Sequence, residues 1–173
     1  FDLMNPEVKI QYPQLPSDIF IIQKRVYPVS YSGAEHGRII TMANTHKIAF
    51  RYLMQHPEEG KLVSNHYQRS QVYIISSDYA KKRPLDSHTW QTLDSSYTRS
   101  FIEAEKYCIK LQKALDFAGV AIAWDFMFTS EGVQFLEGNI GSSITFDESV
   151  TLEEDFKKYH TLVGESIGIR YRI

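Results

Sequence analysis

The alternation of apolar and polar residues changes period several times along the chain, and its first part favours strands. β-branched and aromatic residues crowd 19–26, which predicts a strand. Two further alternating runs, 38–42 and 47–52, flank Asn44, a residue that suits tight turns, so they predict a β-hairpin. Another short strand is predicted over 72–75.

Helical spacing occurs twice in the second half of the chain. The first predicted helix ends near Gly119, and a second is predicted over 152–167. Cys108, the only cysteine of the chain, lies on the apolar face of the first helix and is interpreted as a core residue. The two apolar faces consist of Phe101, Ala104, Cys108, Leu111 and Leu115, and of Phe156, Tyr159, Val163 and Ile167.

The segment between these helices predicts a second hairpin. A nearly continuous apolar run over 120–128 has the character of a buried strand, and 133–136 returns after the turn 130–132. Residues 78–95 are polar and irregular, and they are interpreted as a surface excursion, either a substrate lid or an inert loop. Strands and helices mixed around antiparallel hairpins predict an α+β fold, an antiparallel sheet with packed helices.

Composition is that of an ordinary folded domain, with 43% hydrophobic and 23% charged residues in a chain of 173. We expect a lead-in segment over 1–18 and one catalytic unit over 19–173. A net charge of −2 argues against nucleic acid and against an anionic membrane as partners. The single cysteine and the absence of a long apolar run predict a cytoplasmic protein, and a homo-oligomer stays open.

Two carboxylates lie on either side of the second predicted turn. A three-residue loop with Gly132 in the left-handed position would pair Thr129 with Val133. That register places Asp125 directly opposite Glu137, and carboxylates about 5 Å apart repel each other unless a cation lies between them. Asp125 also interrupts an apolar run, where a lone carboxylate is costly. The pair therefore indicates a Mg²⁺ site.

Asn139 lies two residues beyond Glu137, so it points to the same side of an extended chain and offers a third oxygen ligand. Gly138 and Gly141 are interpreted as room for a ligand to approach the backbone. Taken singly, Asp125 is also explained as a strand-end residue and Glu137 as a surface acid. The combination of the three polar residues favours metal binding.

These residues resemble the end of an ATP-grasp domain. The segments 121–126 and 133–139 read AIAWDF and VQFLEGN. In the ATP-grasp superfamily an Asp on one strand and a Glu-x-Asn on the next bind two magnesium ions. The resemblance implies that Asp125, Glu137 and Asn139 hold two Mg²⁺ ions, with Mn²⁺ as an alternative, and that ATP is the cofactor.

Upstream segments resemble other parts of the same family in the same order, so that the resemblance covers 19–146. Residues 21–26 resemble the hinge strand whose backbone grips adenine, and 37–40 and 48–51 resemble the hairpin that follows it. The first of these similarities assigns nucleotide binding to Gln23, Lys24, Arg25 and Val26.

Two further positions carry weaker similarity to nucleotide-binding residues of the family. Glu35 or His36 stands where a ribose-binding acid is expected, three or two residues before Arg38. Asn65 falls in a segment that resembles an Arg-Ser-Asn element of amino-acid ligases, with Val63 in the place of the arginine. Asn65 is therefore either a neighbour of the metal and phosphates or a turn residue.

The first hairpin offers a separate indication of an anion site. If Met42 pairs with Lys47, then Arg38 lies opposite Arg51. A bound phosphate or acyl phosphate would stabilise two facing guanidiniums, and both arginines would then be catalytic. The alternative is a solvated sheet edge, where basic residues discourage aggregation.

The resemblance implies a ligase that uses ATP to activate a carboxylate as an acyl phosphate, which an amine or another nucleophile attacks. The expected substrates are a small-molecule carboxylate and an amine. The alternatives are a small-metabolite kinase of the same fold and a non-catalytic nucleotide-binding or interaction domain. The family also uses a glycine-rich loop with a lysine ahead of the hinge strand, and 1–18 contain no glycine. We therefore expect a C-terminal, metal-binding fragment whose partner is the N-terminal portion of the same enzyme.

Overall fold

The structure is a computed structural model, and it describes residues 35–42, 45, 47–55, 70–115, 121–140 and 151–168. These residues form an antiparallel sheet and two helices. The strands are β1 (Glu35–Met42), β2 (Ile48–Gln55), β3 (Gln71–Ile75), β4 (Lys81–Pro84), β5 (Gln91–Thr92), β6 (Ala121–Thr129) and β7 (Gly132–Ile140). The helices are α1 (Ser95–Leu115) and α2 (Glu153–Ser166).

The seven strands follow the order β5-β4-β3-β2-β1-β6-β7, and every neighbouring pair is antiparallel. The two hairpins predicted from the sequence are confirmed as β1–β2 and β6–β7. They are joined side by side, because β1 also pairs with β6. This junction brings Arg38 next to Asp125, 87 positions further along the sequence, and it positions the candidate site.

Each face of the sheet is covered by one helix. Phe101, Ala104 and Cys108 of α1 are fully buried in the apolar cluster on one side, which we call the α1 face. Tyr159, Leu162 and Val163 of α2 pack against the cluster on the other side, the α2 face. Side chains alternate between these faces along each strand. Among those on the α1 face are Ile39, Leu53, Ile122, Trp124 and Phe126, and among those on the α2 face are Ile40, Tyr52, Met54, Ala121 and Ala123.

Helix α1 begins earlier than its apolar spacing predicts, because Asp94 caps it. The Asp94 carboxylate accepts a hydrogen bond of 2.8 Å from the backbone N–H of Ser96, which satisfies one of the free donors of the first turn. The prediction is wrong for the C-terminal end of the apolar face of this helix. Leu111 and Leu115 are 39% and 56% exposed, whereas Gln112 is buried.

The excursion predicted over 78–95 is partly wrong, since it contains two short strands, β4 and β5, that extend the sheet beyond β3. Arg83 anchors this extension to α2. Its guanidinium donates a 2.6 Å hydrogen bond to the carboxylate of Asp155, and both side chains are buried. The polar composition of the segment therefore reflects a salt bridge on the α2 face as well as a solvated surface.

The α+β class predicted from the sequence is confirmed by the sheet and its two helices. The predicted strand over 19–26 and the residues Gly119 and Gly141 lie outside the described part of the chain. Neither helix in the described ranges has a run of apolar residues long enough to cross a membrane.

Candidate functional site

Asp125 and Glu137 lie directly opposite each other in β6 and β7, as the sequence predicts, but the register is reached differently. The structure pairs Thr129 with Gly132 rather than with Val133, so the turn is one residue tighter than predicted. Between the pair Phe126–Phe135 and the pair Asp125–Glu137 the register shifts by one residue, leaving an extra residue in β7. This β-bulge restores the opposition of the two carboxylates. Gly132 has the predicted positive φ, 107°.

Arg38 holds the carboxylate of Asp125 from the neighbouring strand. The two residues are direct partners in the β1–β6 ladder. The Arg38 guanidinium donates from Nε to Oδ1 at 2.6 Å and from Nη2 to Oδ2 at 2.8 Å. The Asp125 side chain is 6% exposed and that of Arg38 is 23% exposed, so the pair is largely removed from water. A bidentate pair of this kind is strong and fixed in geometry.

Asn139 connects the two carboxylates from the same face of β7. Its side-chain amide donates to Glu137 Oε1 at 3.0 Å and makes a longer contact of 3.4 Å to Asp125 Oδ2. This confirms that Glu137 and Asn139 point to the same side as Asp125. Glu137 is exposed, whereas Asp125 is buried, so the cluster opens toward solvent at Glu137.

His36 and Tyr52 complete the polar surroundings of Asp125 on the α2 face. His36 Nε2 lies 3.9 Å from Asp125 Oδ1, and burial lowers the pKa of His36 although the charge of Asp125 opposes this shift. Tyr52 pairs with Arg38 in the β1–β2 ladder and is fully buried, which raises the pKa of its phenol well above the usual value. Burial disfavours the charged form of Arg38 and so acts to lower its pKa. The hydrogen bonds to Asp125 and the charge of that carboxylate outweigh burial and raise the Arg38 pKa.

The predicted opposition of Arg38 and Arg51 is wrong. A register shift between Ile40 and Thr41 moves the pairing by one residue, so that Arg51 pairs with Ile39 and points to the α1 face. There Arg51 donates from Nε to Glu105 of α1 at 2.8 Å, and its Nη2 lies 2.7 Å from the same oxygen. Arg38 and Arg51 therefore lie on opposite faces, and each already has a carboxylate partner.

Glu35 is also separated from the carboxylates. It lies on the α1 face, where its two oxygens accept hydrogen bonds from Gln55 at 3.1 Å and from the hydroxyl of Tyr97. Of the two residues considered for a ribose-binding position, only His36 lies beside Asp125. The other predicted nucleotide-binding residues, Gln23, Lys24, Arg25, Val26 and Asn65, lie outside the described residues.

Gly138 serves the packing of Trp124 rather than the approach of a ligand. A Cβ atom at Gly138 would lie 2.9 Å from the Trp124 ring, which covers this position on the α1 face. The indole Nε1 of Trp124 donates to Thr41 Oγ1 at 2.8 Å, which fixes the ring in place. Glycine is thus required between Glu137 and Asn139 because the tryptophan occupies the space behind them.

The cluster contains carboxylate and amide groups of the kind that hard divalent cations bind, but the Asn139 amide turns its NH₂ group toward both carboxylates. Within the described ranges no three His, Cys, Asp or Glu side chains come together as a metal site, so a cation here would depend on two carboxylates and one amide. Two carboxylates and one guanidinium leave a net negative charge at the cluster. Of the two Asp125 oxygens that bind Arg38, Oδ2 also lies 3.4 Å from the amide nitrogen of Asn139. Arg38 therefore binds the same Asp125 oxygens that a cation would need.

Sequence reasoning missed the contact between Arg38 and Asp125, and it left His36 as one of two choices. His36 could have been selected, because it lies two residues before Arg38 and so shares its face. No family model matches the chain, and a comparison with curated proteins finds no match.

Proposed function

We propose that the chain is the metal-binding part of an ATP-dependent ligase that activates a carboxylate as an acyl phosphate for attack by an amine. The observation that carries this proposal is the convergence of Asp125, Glu137, Asn139 and Arg38 on one face of the sheet. Oxygen ligands for a divalent cation and a guanidinium for an anion thus lie within one hydrogen-bonded cluster. Transfer of a phosphoryl group to a carboxylate requires both kinds of group.

Asp125, Glu137 and Asn139 would hold Mg²⁺, which when bound neutralises the negative charge of the ATP phosphates. The hairpin keeps the two carboxylates opposed, and the amide of Asn139 orients the carboxylate of Glu137. Arg38 presents the only guanidinium in contact with this cluster among the described residues. Its role would be to bind the phosphoryl group or the acyl phosphate through parallel N–H donors.

Arg51 has no place in this proposal, because it is bonded to Glu105 on the opposite face. No protein nucleophile is needed either, since positioning and charge neutralisation account for most of the catalysis of phosphoryl transfer. The buried Cys108 is accordingly not assigned a chemical role. Burial raises the pKa of its thiol far above the usual value.

The test is to supply the full-length protein that contains this chain with ATP, Mg²⁺ and a panel of small carboxylic acids in the presence of hydroxylamine. Hydroxylamine converts an acyl phosphate to a hydroxamate, which is detected by its colour with iron. We expect hydroxamate and phosphate to form together with at least one acid. Formation of a stable phosphorylated product without hydroxamate would instead identify a kinase.

Two substitutions in the same hairpin provide the control. Glu137→Gln removes one carboxylate of the cluster, and we expect it to abolish hydroxamate formation. Glu131→Gln makes the same chemical change in the exposed turn and should leave activity unchanged. Equal activity in both variants would contradict the assignment of Glu137 to the metal.

A further inference from the structure

Arg38 binds the same two oxygen atoms of Asp125 that a metal ion would bind. Both oxygens of Asp125 accept hydrogen bonds from the guanidinium, at 2.6 and 2.8 Å, while Glu137 receives a neutral amide. The Asp125 carboxylate is also nearly buried, so few directions remain from which a ligand can reach it. A cation that binds Asp125 must therefore share or take over oxygens that Arg38 holds.

The guanidinium and a divalent cation would repel each other across one carboxylate. Mg²⁺ approaches its oxygen ligands to about 2.0–2.1 Å and requires nearly octahedral geometry. Two parallel hydrogen bonds from Arg38 fix the orientation of the Asp125 carboxylate and engage both of its oxygens, and Oδ2 also lies 3.4 Å from the amide of Asn139. The bidentate pair and full metal coordination are thus alternatives for this side chain.

We infer that Arg38 works as a latch: cation binding releases it from Asp125 and makes its guanidinium available to a phosphate. This inference rests on the proposed metal site. Arg38 is less buried than Asp125, with 23% of its side chain exposed, so it is the partner that can turn away. A released guanidinium needs a new anionic partner, and the phosphates of a nucleotide supply one.

The latch couples the two ligands. Without nucleotide, the cation competes with Arg38 and binds weakly. With nucleotide, the released Arg38 binds the phosphates, so each ligand strengthens the binding of the other by the same factor. The arrangement would favour occupation of the site by metal and ATP together over occupation by the metal alone.

Nuclear magnetic resonance of arginine side chains tests the latch in the wild-type protein. Arg38 and Arg51 each donate an Nε–H to a carboxylate, at 2.6 and 2.8 Å, but on opposite faces of the sheet. Adding Mg²⁺ to the full chain should shift or remove the Nε–H signal of Arg38 and leave that of Arg51 unchanged. The variants Arg38→Lys and Arg51→Lys assign the two signals.

Binding of Mn²⁺, followed by electron paramagnetic resonance, gives the second measurement. Arg38→Gln should bind Mn²⁺ about tenfold more tightly than the wild type, which is the gain in affinity expected when a charge-assisted competitor is removed. Addition of ATP should strengthen Mn²⁺ binding in the wild type and much less in Arg38→Gln. Arg38→Lys, which keeps the charge but lacks the two-pronged donor, should lie between them.

Different outcomes separate the latch from the metal site. If Mn²⁺ binding depends on Asp125 but is not strengthened by Arg38→Gln, and Mg²⁺ leaves the Arg38 signal unchanged, the latch is wrong and the metal site stands. If neither the wild type nor Arg38→Gln binds Mn²⁺ with or without ATP, the metal site is wrong, and both the latch and the proposed function fall.

Discussion

Arg38 and Asp125 face each other across adjacent strands, and the guanidinium of one holds both carboxylate oxygens of the other. This contact links the two hairpins of the sheet, and it lies beside a second carboxylate, Glu137. The same pair therefore contributes to stability and determines how a cation can enter the site.

The first prediction concerns the energy of this pair. Asp125→Asn leaves a largely buried guanidinium without its charged partner, and we expect the free energy of unfolding to fall by about 1–3 kcal/mol. Arg38→Gln should cost a similar amount, and the double variant should cost clearly less than both together, because the two residues form one interaction. Urea denaturation of the three variants measures the coupling.

An exposed ion pair provides the control for this measurement. Lys47 and Glu165 are bonded at 2.7 Å, but their side chains are 55% and 43% exposed. Glu165→Gln should change stability by at most about 1 kcal/mol. Additive losses for Asp125→Asn and Arg38→Gln would show that the buried pair is not a cooperative unit.

The second prediction separates packing from ligand binding at Gly138. In Gly138→Ala the new methyl group would meet the Trp124 ring at 2.9 Å, and we expect a loss of about 1–3 kcal/mol from this overpacking. The methyl group points to the α1 face, away from Glu137 and Asn139, so the affinity for Mn²⁺ should be retained. Trp124→Phe in the same chain should recover part of the stability, because the smaller ring leaves room. No recovery would argue against the clash.

The third prediction concerns Gln112, a buried polar side chain that lowers the free energy of unfolding. Gln112 is 2% exposed, and neither amide atom has a hydrogen-bond partner among the described residues. An unsatisfied buried polar group costs about 1–3 kcal/mol, so Gln112→Met, which is similar in volume, should stabilise the protein by about that amount. Thermal denaturation measures the gain. Gln91→Met, at an exposed position, should change little, and a destabilised Gln112→Met would contradict the interpretation.

The fourth prediction concerns alkaline pH. Burial, together with the hydrogen bond to Glu105, raises the pKa of Tyr79 from 10.0 to about 12. The folded state thus favours the neutral phenol, and this contribution is complete below pH 10 and is lost as pH rises from 10 to 12. Tyr79→Phe should show a smaller decline of unfolding free energy across that window in urea titrations. An identical decline in both proteins would show that Tyr79 does not contribute.

Local pattern predicted the elements well, because each has a clear period or turn signal. The β1–β2 and β6–β7 hairpins and both helices are where alternation and helical spacing place them, although α1 begins six residues before the first residue of its predicted apolar face. The carboxylate register was also predicted, although two departures from the expected geometry cancel. The turn is one residue tighter, and the β-bulge near Phe126 restores the pairing of Asp125 with Glu137.

The remaining features depend on information that local sequence does not contain. The pairing of β1 with β6 joins strands from different hairpins, so the contact of Arg38 with Asp125 could not be derived from either alone. A bulge reverses the faces of every residue beyond it. The prediction did not contain the bulge between Ile40 and Thr41, and it therefore placed Arg51 on the wrong face of the sheet.

The metal site is tested most directly by the affinity for Mn²⁺ in the presence of ATP, determined by electron paramagnetic resonance on the full-length protein. The wild type and Glu131→Gln should bind equally well. Glu137→Gln should bind at least about tenfold more weakly, since a carboxylate ligand of the cation is lost. Equal affinities in all three proteins would contradict a metal site formed by Asp125, Glu137 and Asn139.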